Sequence, residues 1–296
     1  MRINTNVSSL IAQESNTNTS SNISSSLEKL STGLRINKAA DDASGLAIAD
    51  KLRTQATGLN QSISNGNSAV SLTQIADNAM AEQSNILDVI KQKLLQASTA
   101  TTSIEGIASI GKDVDKLLDQ VNNIALQTTY NGMTLLQKSS GTTAGDRDMG
   151  TSALKFQMGT GATNLVTLDA GIKSNTAGLD GMSALQVSAA AGFVDGVSAG
   201  GMQSAARAHL ASVDSALNTL NSWRADIGST QNQLESGIRN LMTQVTNTKA
   251  AESVIRDVDY AAESANFNKQ NIISQAGTYA LSQANSASQN VMTLLR

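Results

Sequence analysis

Leu210, Val213, Leu217, Leu220, Ile227, Leu234, Ile238, Leu241 and Val245 recur at alternating steps of three and four, with Arg224 and Gln231 in the two skipped places. That heptad seam predicts one long helix over about 202–248. Broadly helical spacing also runs through about 43–97, carried by Leu46, Leu52, Ala56, Leu59, Ile63, Val70, Ile90 and Leu94. A third stretch, about 104–127, has Ile107, Ile110, Val114, Leu117, Leu118, Val121 and Ile124 in register, with Ser103 placed to cap it. The two ends are weaker. The first, about 3–35, is apolar at Ile3, Val7, Leu10 and Ile11 and again at Leu27, Leu30 and Leu34. Between them Gln13 to Ser26 is rich in Ser, Asn and Thr, whose side chains compete with the backbone for hydrogen bonds. This segment is expected to need a partner surface to order it. The last segment, about 251–295, carries a narrow, alanine-rich stripe of Val254, Val258, Ala261, Ala265, Ile272, Ala276, Ala280, Ala287, Val291 and Leu294, suited to packing against another thin helix. The simplest arrangement pairs the first segment with the last.

The middle differs. Tyr130-Asn131-Gly132-Met133 is a turn signal. Leu154, Phe156 and Met158 alternate with Lys155 and Gln157, and Leu165-Val166-Thr167-Leu168 follows a glycine-rich turn, which predicts a β-hairpin. The stretch from Gly171 to Gly201 is Gly-, Ser- and Ala-rich and is expected to be loop. The fold class is therefore mainly α, with long antiparallel helices forming a terminal coiled coil and a helical rod, and a small β-hairpin region in the middle.

Composition supports long helices. The chain has 296 residues and Pro 0, where average usage would give roughly fifteen. Aromatic residues make up 2%, which argues against a thick globular core and for thin helical layers. Cys 0 excludes disulfides, thiol catalysis and cysteine metal sites. A net charge of −3 gives no reason to expect nucleic-acid or anionic-membrane binding. No apolar run approaches a membrane span, and the N-terminal residues lack the apolar core of a cleavable signal.

The chemical inventory is poor. Asp41-Asp42 has no further ligand nearby, so helix capping at a bend outweighs a paired-carboxylate site. His209 has no second His or Cys with which to bind metal. Gly159-Thr160-Gly161 lacks the lysine and helix of a phosphate loop, and Trp223 reads as packing or surface. Arg35, Arg53, Arg224, Arg239 and Arg256 are either bridges between subunits or ordinary solvated charges. No catalytic, cofactor or metal site is expected, and the cofactor expectation is none.

The segment Ser31 to Asp50 joins two helix-patterned stretches through a glycine-marked polar bend at Gly33, Arg35, Asp41, Asp42 and Gly45. With Ile3-Asn4-Thr5-Asn6, Thr129-Tyr130-Asn131-Gly132, the block Ile255 to Ala261 and the closing Gln289 to Arg296, it resembles the bacterial flagellins across both ends, about 1–140 and 203–296. The resemblance implies a subunit of the flagellar filament. It places 1–42 and 251–296 in an inner coiled coil, 43–140 and 202–250 in a rod, and 141–201 in a short variable middle. Ile3, Val7, Leu10, Leu27, Leu30, Leu34, Ile272, Ala276, Ala280, Val291, Leu294 and Leu295 then become coiled-coil assembly residues. Implied partners are the chain itself as a helical homopolymer, the flagellar export apparatus, a flagellin chaperone, the filament cap and hook-associated proteins. The implied location is the extracellular filament, reached without a cleaved signal.

Where many flagellins present an arginine and a leucine to the Toll-like flagellin receptor, this chain has Val89 and Lys93, with the acidic partner position kept as Asp113. The change implies weak or no receptor binding, since such anchors dominate interface energies. A hook–filament junction protein and a secreted adhesin or host-binding module are the competing readings. The intact blocks Ala40 to Ile48 and Ile255 to Tyr260 favour the filament subunit.

Overall fold

A computed structural model of the chain describes residues 6–137, 153–168, 172–193 and 199–294. Its helices are α1 (Val7–Thr32), α2 (Ala43–Ala97), α3 (Ile104–Gln127), α4 (Met182–Ala190), α5 (Ala199–Arg256) and α6 (Tyr260–Leu294). Strands β1 (Thr129–Tyr130) and β2 (Met133–Thr134) form one antiparallel pair, and β3 (Leu154–Gln157) and β4 (Leu165–Leu168) another. The chain divides into two compact units, Met1–Thr57 with Val245–Arg296, and Gly58–Gln244.

The larger unit is built on heptad spacing. Leu72, Ala76, Met80, Gln83, Leu87, Ile90 and Leu94 follow steps of three and four along α2, and all are buried. They meet Ile107, Val114, Leu118 and Ala125 of α3 and Val213, Leu220 and Ile227 of α5 in one core. Ser103 caps α3, its Oγ accepting from the Gly106 N–H at 3.1 Å. Arg224, in one skipped place of the α5 seam, donates to Asp77 of α2 at 2.9 Å. The half-buried Trp223 packs on the same core. Gln83 occupies a seam place on α2 and uses its buried amide to donate to the carbonyls of Val121 at 3.0 Å and Ser174 at 3.1 Å. It thereby ties α2 to α3 and to the loop at 172–181.

The β3–β4 hairpin has the expected strands, with Leu154 opposite Leu168 and Gln157 opposite Leu165. Met158 at its turn plugs a gap kept open by two glycines. A Cβ on Gly66 of α2 would lie 2.9 Å from the Met158 sulfur, and one on Gly237 of α5 would lie 3.1 Å from its Cε. The Tyr130 to Met133 turn is also flanked by paired strands, which the sequence did not announce. Asn131 at φ 48 and Gly132 at φ 79 give the left-handed pair that a two-residue type I′ hairpin demands.

Two expectations fail. The stretch at 171–201 is not all loop, because Met182–Ala190 is helix α4, burying Met182, Leu185 and Ala189. Three apolar anchors in an Ala- and Ser-rich run leave a periodicity too short to stand out. The second concerns the boundary between the last two helices. α5 continues to Arg256, and the break falls at Asp257-Val258-Asp259. There the chain turns because Leu34 forms an antiparallel bridge with Asp257, and Asp259 Oδ1 caps α6 by accepting from the N–H groups of Ala261 at 2.9 Å and Ala262 at 3.1 Å. Val254 and Val258 therefore belong to the end of α5 and the break, not to the stripe of the last helix.

Candidate assembly surface

α1 and α6 lie antiparallel. Asn6 Nδ2 donates to the Ala284 carbonyl at 3.1 Å, Asn16 Oδ1 accepts from Ser274 Oγ at 3.5 Å, and Ser26 Oγ accepts from Asn266 at 3.3 Å. The row of α1 that loses solvent is Ser9, Ala12, Asn16, Thr19, Ile23, Ser26 and Leu30, again at steps of three and four. Its counterpart on α6 includes Phe267, Asn271, Ser274, Gly277, Leu281 and Ala284. This seam is a heptad filled mainly by small and polar residues. Small side chains allow close approach of the two backbones, but they bury little apolar area.

Apart from Leu30, the described apolar residues expected along that seam mostly point elsewhere. Val7, Leu10, Ile11 and Leu27 are exposed on α1, Ile11 at 61%. Ile272 is 66% exposed on α6, and Ala276 and Ala280 are exposed with it. Leu30 and Leu34 are half-buried. Ile3 and Leu295 lie outside the described residues, as do the side chains of Val291 and Leu294. The expectation that hydrophobic residues would make the seam within the pair is thus corrected: the seam follows the small polar heptad, which was present in Ser9 to Leu30 but masked by the stronger apolar signal. Each large side chain left outside retains about 1.5–3 kcal/mol of transfer energy that only another surface can release.

The bend from α1 to α2 is closed by side chains of its own. Gly33 ends α1 at φ 74, its N–H donating to the Lys29 carbonyl at 2.9 Å. Arg35 donates its backbone N–H to the Arg256 carbonyl at 2.7 Å, and the Val258 N–H returns to the Gly33 carbonyl at 3.0 Å. Asp42 caps α2, Oδ1 accepting from the Gly45 N–H at 2.8 Å. Gly45 leaves room for Asp42 and Ile36, which a Cβ would strike. Asp41 does not share the helix-capping role read for the Asp41-Asp42 pair. It sits before the cap and accepts from the N–H groups of Lys38 at 2.9 Å and Asn37 at 3.0 Å. Those two bonds hold its carboxyl below the usual range. Lys38 is held above its ordinary value by its hydrogen bond to Glu28 at 2.7 Å.

On the rod helices Val89 is exposed, and Lys93 bonds Asp113 at 2.8 Å. That bond lowers the Asp113 carboxyl. The arginines find partners within the chain: Arg35 on the Ile255 carbonyl, Arg53 on Asp50, Arg224 on Asp77, Arg239 near Glu235 and Arg256 near Asp50. His209 is partly buried with its ring centroid 6.4 Å from that of Phe193, and burial lowers its pKa. Among the described residues no cluster of acids and His is arranged to hold a metal, and no helix is long and apolar enough to cross a membrane.

Two thin helices with a polar seam and outward apolar rows define a subunit that completes its burial by association. Comparison with known proteins agrees. The bacterial flagellin N-terminal helical region matches residues 3–141, and the bacterial flagellin C-terminal helical region matches 210–295. The chain is 34% identical over 296 residues to the flagellar filament 33 kDa core protein of Treponema phagedenis, covering 100% of each. It is 36% identical over 306 residues to the flagellin of Bacillus subtilis, again covering 100% of each. A hook-associated flagellar protein of Vibrio parahaemolyticus shares the fold, at TM-score 0.60 and 12% identity, over 73% of this chain and 99% of that one. The chain belongs to the bacterial flagellins, a structural family, and its function is that of a subunit of the extracellular flagellar filament.

Proposed function

We propose that the outward apolar rows of α1 and α6 are the surfaces through which copies of this flagellin build the inner layer of the filament. The observation that carries this is the inversion of the pair: Leu10, Ile11, Leu27 and Ile272 face solvent while Asn16, Thr19 and Ser26 face the partner helix. A pair so poorly buried has little to offset its ordering entropy alone, so both ends stay unfolded through export and fold against neighbours at the growing tip. In this reading 1–42 and 251–296 form the inner layer, 43–140 and 202–250 the rod, and 141–201 the short middle. Leu10→Ser and Leu27→Ser together test it. Pelleting assays should show the critical concentration for polymerisation rising at least tenfold, with the rod's helical content kept. Unchanged polymerisation would remove these rows from the interface.

The export apparatus, a flagellin chaperone, the filament cap and hook-associated proteins are the partners this reading requires during delivery and growth. The same reading makes the chain a poor ligand for the Toll-like flagellin receptor. Val89 offers no charged fork, and Lys93 occupies Asp113, the acid a receptor would engage. Receptor-reporter cells should respond weakly to the native chain and more strongly to Val89→Arg with Lys93→Leu. A native response at ordinary flagellin doses would overturn this part.

A further inference from the structure

The chain contains two Asn-Gly pairs, Asn65-Gly66 and Asn131-Gly132. A glycine after asparagine has no Cβ to hinder its backbone nitrogen from attacking the asparagine side-chain amide. The fold decides which pair can react. Asn65-Gly66 lies inside α2, where the Gly66 N–H belongs to the helix ladder. Asn65 Oδ1 accepts from Gln61 at 3.0 Å. Gly66 is buried, and a Cβ there would lie 2.9 Å from both Ile238 and the Met158 sulfur. The ring that the reaction needs cannot close at this pair without opening the helix.

Asn131-Gly132 is the reverse in each respect. Both residues are exposed at the tip of the β1–β2 hairpin. Nothing lies within 4 Å of where a Gly132 Cβ would stand. Among the described residues neither the Asn131 side chain nor the Gly132 N–H has a hydrogen-bond partner. The ladder behind the turn has only two residue pairs, Thr129 with Thr134 and Tyr130 with Met133. So short a ladder opens readily, and each opening lets the Gly132 nitrogen reach the Asn131 Cγ.

We infer that Asn131 is a site of spontaneous modification, converting to aspartate and isoaspartate through a cyclic imide. The Gly132 nitrogen bonds to the Asn131 Cγ, the Cγ–Nδ2 bond breaks, and that nitrogen leaves as ammonia with the Gly132 proton. Water then opens the five-membered imide. Cleavage of its Cγ–N bond gives aspartate. Cleavage at the Asn131 backbone carbonyl gives isoaspartate, whose main chain runs through Cβ and Cγ. Each route consumes one water and releases one ammonia. Isoaspartate lengthens a two-residue loop by one backbone atom, which the left-handed pair at φ 48 and φ 79 does not accommodate. Tyr130 and Met133 then lose their pairing, and both line a groove of about 600 Å³ beside α2. The disturbance stops at Leu135, whose N–H donates to the Thr128 carbonyl at 3.1 Å and whose side chain is buried.

The test incubates the full-length monomer in mildly alkaline buffer and maps its peptides by mass spectrometry. A protein isoaspartate methyltransferase with labelled methyl donor is the probe for isoaspartate. Conversion at Asn131 should run roughly tenfold or more ahead of Asn65, with methyl label on the Asn131 peptide. In urea the two sites should react at similar rates, because the fold no longer separates them. Asn131 retained as well as Asn65 in the folded chain would overturn the inference, as would the same gap between the sites in urea. Aspartate alone, without methyl label, would overturn the isoaspartate branch. Asn131→Ser should remove both the mass change and the label from that peptide, and a label that persists there would also overturn it. In converted chains separated by anion exchange, amide exchange should quicken at Tyr130 and Met133 and stay unchanged in the α2 seam. Unchanged exchange at Tyr130 would sever the modification from the groove. None of these readouts depends on polymerisation, so the inference stands or falls apart from the filament reading.

Discussion

Arg35 Nη2 donates to the Ile255 carbonyl at 2.6 Å. The last carbonyls of a helix have no partner within it, and Ile255 and Arg256 end α5. Arg35 serves both, through its side chain and its backbone N–H. The bend between α1 and α2 is therefore also the C-terminal cap of α5. Arg35→Ala should cost about 1 kcal/mol, the net worth of one exposed charge-assisted bond, and Arg35→Lys should recover only part. Thermal unfolding of the three proteins side by side checks this. Equal midpoints would show that the backbone bridge alone holds the corner.

Gly33 is required twice. Its left-handed φ of 74 disfavours any side chain, and a Cβ there would come 2.8 Å from the Tyr260 hydroxyl. Gly33→Ala should destabilise by about 1 kcal/mol for the backbone alone and more for the clash. Tyr260→Phe removes the hydroxyl, so combining the two should return part of the loss. A double-mutant cycle in urea reads the coupling, and strict additivity would show that Tyr260 moves aside freely.

Asp41 makes the bend sensitive to acid. Its folded pKa is depressed, so its contribution is present above the unfolded value of about 3.9 and is lost as pH falls through the folded value. The stability difference between the native chain and Asp41→Ala should therefore be constant near neutrality and shrink below about pH 4. Chemical denaturation at several pH values measures it. A difference that grows on acidification would contradict the assigned bonds to Lys38 and Asn37.

Met158→Ala should leave a cavity between Gly66 and Gly237 and cost about 2–4 kcal/mol, the usual range for truncating a buried large side chain. Amide exchange should quicken in β3 and β4 before it does in α2. A loss under 0.5 kcal/mol, itself only about one RT, would mean that the hairpin is not held by this plug.

The rod was legible because its heptads are apolar. The expected 43–97 and 104–127 coincide with Ala43–Ala97 and Ile104–Gln127, and Ser103 caps as its position suggested. The β3–β4 hairpin was legible from alternation at Leu154, Phe156 and Met158. α4 was hidden because alanine and serine carry almost no amphipathic signal around Met182 and Leu185. The α5–α6 boundary was hidden because Asp257 and Asp259 mark a cap only once Leu34 is known to pair there. The terminal seam was read inside out for a related reason. Hydrophobic periodicity identifies the face with most to gain from burial, and in α1 that face is turned away from α6. The bend residues Gly33, Asp42 and Gly45 were recognisable because their backbone demands are local, whereas Arg35 acts on a carbonyl 220 residues away in sequence.

Amide hydrogen exchange on monomer and filament tests the central claim, that the terminal pair is completed by neighbours. Peptides from α1 and α6 should exchange within seconds in the monomer and slow by at least a hundredfold in the filament, while the seam of α2 from Leu72 to Leu94 stays protected in both. Terminal peptides protected in the monomer as strongly as that α2 seam would contradict the account, because Ser9 to Leu30 would then suffice to hold α1 and α6 without another subunit.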